Sequence, residues 1–152
     1  MAATATPMMP TSVQTNGRFN RMVVGLFDGP VHRLLSRWFC VVRYTGRKSG
    51  RRFATPTQYV RLGDDVIIVV GAASTKTWWR NFVGRSHPID VLVDRQWRQL
   101  IGRAVVGADN PEETTRLLTH YLERFPRAER AIPGTTTAER VANAVLVHAV
   151  EP

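Results

Sequence analysis

Apolar residues recur at helical spacing between residues 17 and 37, where Phe19, Met22, Val23, Leu26 and Phe27 line one side of a stretch broken at Gly29 and Pro30. Arginines 18, 21, 33 and 37 lie along the same stretch, so the pattern predicts two short amphipathic helical pieces with a basic outer face. From Trp38 the period shortens. "WFCVVRYT", "RRFATPTQYVRL" and "DVIIVV" are apolar, β-branched runs separated by glycine-containing turns, which predicts three strands in a meander. "STKTWWRNFV" reads as one or two helical turns, because Trp78 with Phe82 and Trp79 with Val83 stand four apart. "IDVLV" and "WRQLIGRAVV" form a further hairpin about residues 94–96.

The next segment, "NPEETTRLLTHYLERF", carries its own punctuation: Asn110 as cap, Pro111 at the first helical position and Glu113 to complete a capping box. Leu117, Leu118, Tyr121, Leu122 and Phe125 give its buried stripe. "TTTAERVANA" predicts a short helix boxed by Thr136 and Glu139, and "AVLVHAV" a closing strand. Strands dominate the middle and do not alternate strictly with helices. The expectation is an α+β fold, a mainly antiparallel barrel with flanking helices, in one domain over residues 17–152 after a flexible tail of residues 1–16.

Composition narrows the chemistry. A single cysteine, Cys40, excludes an internal disulfide and any multi-cysteine metal site, and His32, His87, His120 and His148 lack ligand spacing, so no metal is expected. The net charge is +9, and since Lys48 and Lys76 are the only lysines among 21 basic residues, arginine supplies nearly all of it. Arginine favours bidentate contact with phosphate and carboxylate, which predicts an acidic partner. No recognition-helix or RNP-like pattern accompanies the charge, so specific nucleic-acid binding is not expected. The first residues have neither a basic leader nor a long apolar run, which predicts a cytoplasmic location, with the basic segment 17–37 available for peripheral contact at the inner face of a membrane. A homodimer is one expected state.

The densest charge is "RYTGRKSGRR", residues 43–52, with five cations and no acid. It is not a Walker loop, because the required upstream glycine is missing and the segment joins strand to strand. No Gly-x-Gly-x-x-Gly or Gly-x-Ser-x-Gly is present either. As a glycine-flanked turn it admits two readings, a solvated basic turn or a cradle that brings backbone and the Arg47 and Lys48 side chains to an anion. In "KTWWRNF", adjacent helical positions point about 100 degrees apart, so both tryptophans do not readily face one core and one of them is free to line a cleft. Pro56 in "FATPTQY" removes a ladder donor and belongs at an edge or a bulge.

In this order, "TGRKSG", a proline-bearing strand, a glycine-bounded turn, "WWRNF", a hairpin and the final "VLVHAVEP" resemble the deazaflavin-dependent nitroreductase and quinone-reductase family, most closely over residues 38–107. The resemblance implies a split β-barrel and coenzyme F-420, a deazaflavin with a phosphodiester and an oligoglutamate tail, in preference to FMN or FAD. It implies hydride transfer from the reduced coenzyme to a quinone, nitro compound or other electrophilic small molecule. By that resemblance Arg47 and Lys48, with Thr45 and Gly46, would hold the phosphate and tail. Pro56, Thr57, Gly71, Ala72 and Ala73 would lie beside the ring, and Trp78, Trp79 and Asn81 would wall the site. Lys76 would stand in for the lysine of the family's Ser-Lys-Gly-Gly-like loop, which is shorter here, and residues 124–144 lack the tyrosines that shape the family's acceptor pocket. No proton donor is identified. The alternative is a relative that binds a flavin, deazaflavin or lipid at the membrane surface without turnover.

Overall fold

The computed structural model describes residues 37–152 and the two-residue strand Gln14–Thr15. The predicted helical pair over 17–37 lies outside the described residues apart from Arg37.

Among the described residues, eight strands form one sheet: β1 (Gln14–Thr15), β2 (Phe39–Thr45), β3 (Arg52–Gln58), β4 (Val60–Leu62), β5 (Asp65–Val69), β6 (His87–Val93), β7 (Gln96–Val106) and β8 (Val145–Val150). Their spatial order is β1-β3-β2-β6-β7-β8-β5-β4, and every pair is antiparallel except β1 with β3. β3 and β4 stand near opposite ends of that order yet are joined through Tyr59 alone. The sheet must curl until its ends meet, and this makes it a barrel split along the β3–β5 seam.

The same break corrects the expected three-strand meander. "RRFATPTQYVRL" is two strands: β3 pairs with β2, while β4 turns away to pair with β5, whose other neighbour is β8. Tyr59 is buried at the corner, and anchoring its ring in the interior redirects the chain. Pro56 lies opposite Val41 in β3, whose other side is paired, among the described residues, only at Phe53 and Ala54, a position that suits a residue with no N–H to donate.

Alternation of side chains divides the core in two. Cys40, Val42, Val66, Ile68, Val91, Val147 and Ala149 fill the barrel interior. Ile67, Val69, Val105 and Leu146 face the other way, beneath helices α1 (Pro111–Arg124) and α2 (Thr137–Asn143). In α1 the buried residues are Thr114, Leu117, Leu118 and Tyr121, with Phe125 buried just beyond the last turn. The Asn110 cap is present, its Oδ1 accepting from Glu113 N at 3.3 Å. The box is not completed as expected, because the Glu113 carboxylate accepts from Arg103 at 2.6 Å and from Asn110 Nδ2 at 3.0 Å. A charge-assisted bond to a guanidinium outcompetes a neutral backbone amide. In α2 the Thr136–Glu139 box is complete. A 3-10 helix, Pro126–Ala131, links the two helices, and another, Trp78–Phe82, precedes β6.

Candidate functional site

The turn between β2 and β3 is closed by Gly46 N donating to Arg51 O at 2.8 Å and Gly50 N to Gly46 O at 2.9 Å. Gly50 takes a φ of +66°, which suits glycine, and Gly46 is buried where a Cβ would crowd Ser49 Oγ and the Phe53 ring. The turn leans on the Trp78–Phe82 helix, and two hydrogen bonds from Arg47 tie the two together while a third, within the helix, fixes the Asn81 side chain. Arg47 N donates to Asn81 Oδ1 at 2.8 Å, Arg47 Nη1 donates to Val83 O at 2.7 Å, and Asn81 Nδ2 donates back to Trp78 O at 2.7 Å. Asn81 is thereby held at both ends of its amide.

Between turn and helix opens a cleft of about 730 Å³, within the usual size of a small-molecule site. Tyr44, Phe53, Trp78 and Trp79 form its aromatic wall. Tyr44 stacks on Phe53 with ring centroids 5.6 Å apart and lies 6.1 Å from Trp78, which meets Phe82 edge-on at 6.1 Å. Trp79 is half-buried, and its indole N–H donates to Ala73 O at 3.1 Å. Arg47, Lys48 and Arg80 bring positive charge to the lining, while Val106 and Asp109 enter from the corner between β7 and α1. Burial pushes the Tyr44 phenol above its ordinary pKa, so it stays protonated at neutral pH.

Of the residues singled out in the sequence, Gly46, Arg47, Lys48, Trp78, Trp79 and Asn81 share this lining. Thr45 adjoins it, with its carbonyl bonded to His87 Nε2 at 2.9 Å. Pro56 and Thr57 lie further along β3, and Gly71, Ala72, Ala73 and the exposed Lys76 lie in the loop before the 3-10 helix, outside the lining itself. Ala72 has a φ of +52° and its carbonyl accepts from Thr75 N and Oγ1, which fixes the start of that loop. The sequence reading missed Tyr44, Phe53, Arg80, Val106 and Asp109. Strand alternation opposite Phe53 was available as a signal for Tyr44; none was available for Val106 and Asp109, which long-range pairing delivers. A smaller crevice of about 430 Å³, lined by Arg37, Tyr59, Arg61, His120 and Arg124 among others, lies toward the other end of β2.

The sequence profile described as F420H(2)-dependent quinone reductase matches residues 16–137. No curated protein matches the chain significantly. Among solved structures, an F420-H2 dependent reductase aligns with a TM-score of 0.51 at 16% identity, over 74% of this chain and 94% of its own. A chain described as a domain-swapped dimer aligns with a TM-score of 0.50 at 14% identity, over 85% of this chain and 93% of its own. The FAD and heme binding protein from Mycobacterium smegmatis aligns with a TM-score of 0.43 at 17% identity, over 79% of this chain, which spans 65% of that protein's length. The first two share the fold.

Proposed function

The chain belongs to the F420H(2)-dependent quinone reductase family and is an oxidoreductase that uses coenzyme F-420, and from that premise we propose that its acceptor is a quinone taken up beside the aromatic wall of the cleft. The observation that carries this reading is the pairing of two chemistries in one cleft, cations on the glycine-flanked turn and flat apolar rings on the Trp78–Phe82 helix. A deazaflavin with an anionic tail needs both.

When bound, the reduced coenzyme supplies the hydride, and the protein supplies position and surroundings. Lys48, on the rim of the turn, would hold the phosphodiester and tail, whereas the turn amides expected to help are already engaged, Gly46 N with Arg51 O and Arg47 N with Asn81 Oδ1. Trp79, held by Ala73 O, would present its ring to the flat part of the complex, with Ala72, Gly71, Lys76, Pro56 and Thr57 about the ring's outer side. Trp78, Phe53 and the protonated Tyr44 would together keep water from that wall. A planar quinone ring can lie flat on such a surface. The neighbour described as a domain-swapped dimer supports a homodimer here too. A cytoplasmic location belongs to the same proposal, as does a membrane contact through residues 17–37, which vesicle flotation tests. Among the described residues, no helix is long and apolar enough to cross a membrane.

The experiment is turnover of reduced F-420 by purified protein with menadione and, separately, with a nitroaromatic. Menadione should be reduced faster. Faster nitroaromatic turnover would move the acceptor assignment, and tighter binding of FMN than of F-420 in parallel titrations would unseat the coenzyme placement.

A further inference from the structure

The two hydrogen bonds that Arg47 makes across the mouth of the cleft divide the labour among its cations. Arg47 is the first cation one would assign to an anion, yet its guanidinium donates to Val83 O at 2.7 Å and its backbone N–H to Asn81 at 2.8 Å. Both contacts lie on the 3-10 helix side, so Arg47 closes the joint between turn and helix. Lys48 and Arg80 are different. Both are exposed, both line the cleft, and neither has an ion-pair partner among the described residues. One sits on the turn and the other on the helix, the two elements that Arg47 and Asn81 bind together. Arg80 also stands 5.7 Å from the Trp79 ring, which limits where its side chain reaches.

We propose that Lys48 and Arg80 together are the grip for the anionic tail of the coenzyme, one from each lip of the cleft, and that Arg47 is a positioning residue that fixes the distance between them. The inference rests on the coenzyme reading given above. The chemistry asks for it: a phosphodiester followed by glutamate carboxylates carries several charges spaced along a chain, and one ammonium covers one of them. An arginine on the opposite lip adds a planar, two-donor contact suited to phosphate or carboxylate.

The test uses two ligands, intact F-420 and its deazaflavin core without phosphodiester and glutamates, titrated by fluorescence against wild type, Arg80→Ala, Arg80→Lys and Arg47→Ala. Arg80→Ala should raise the Kd for intact coenzyme by about tenfold or more and change that for the core by less than about twofold. Arg80→Lys should recover part of the loss. Arg47→Ala should weaken both ligands alike, because the lips separate. Equal losses for the two ligands with Arg80→Ala would make Arg80 a support for Trp79, and a loss confined to intact coenzyme with Arg47→Ala would return the anion to Arg47; either result overturns the inference. Wild type that binds core and coenzyme equally overturns the grip but leaves the coenzyme reading standing. Wild type that binds neither overturns both.

Discussion

A methyl group at Gly46 would stand 2.9 Å from Ser49 Oγ and 3.0 Å from the Phe53 ring, so the turn and the aromatic wall both depend on its absence. Gly46→Ala should cost about 1–3 kcal/mol, the usual range for overpacking, and should weaken coenzyme binding by displacing Phe53. Thermal melts and titration of the same sample check both halves. Trp79 offers a contrast. It is half-buried and bonded through one N–H, so Trp79→Ala should leave a folded protein whose turnover and preference between menadione and a nitroaromatic both change. An unchanged acceptor ratio would remove Trp79 from the wall of the reacting site.

At the scale of elements, helix ends decide much of the acid response. Glu139 accepts from Thr135 N at 2.7 Å, Thr135 Oγ1 at 2.8 Å and Thr136 N at 3.1 Å, and these bonds, the Thr135 amide foremost, lower its carboxyl from 4.5 to about 2. A lowered folded-state pKa means the α2 cap contributes fully above 4.5 and is lost as the pH falls toward 2. Glu139→Gln should therefore melt below wild type at neutral pH, with the gap closing across that interval. Gly107 fixes the next joint: it donates to Ala144 O at 2.9 Å, and a Cβ there would lie 1.6 Å from Val141 O. Gly107→Ala should be among the most damaging single changes, about 3 kcal/mol or more, measured by urea melts, since backbone cannot yield as a flexible side chain does. Such local devices are what a sequence displays. The Thr136–Glu139 box, the Asn110–Pro111 start and the glycine-flanked turn each occupy six residues or fewer, and each was readable. The partner of Glu113 was not, because Arg103 reaches it from β7. Nor was the partner of β5, since Val66 pairs with Ala149 across most of the chain. The same limit governs the cleft: its turn and tryptophans were legible as motifs, whereas Asp109 arrives there only through the pairing of β7.

For the whole molecule, the charge of +9 acts at a distance that no single contact explains. It should draw the anionic coenzyme in, and it should also hold duplex DNA weakly, through counterion release alone. A gel shift that disappears by about 200 mM salt is the expected result, and one that persists would point to a base-reading surface. Finally, β8 is the last strand in chain order yet lies inside the sheet, between β7 and β5. A chain emerging from the ribosome can pair β2 with β3 and β6 with β7, but β5 and β4 remain a separate hairpin until Val145–Val150 arrives. Synthesis and assembly therefore run in opposite senses: the nascent chain waits with two strand edges open to other chains, and one late insertion closes both.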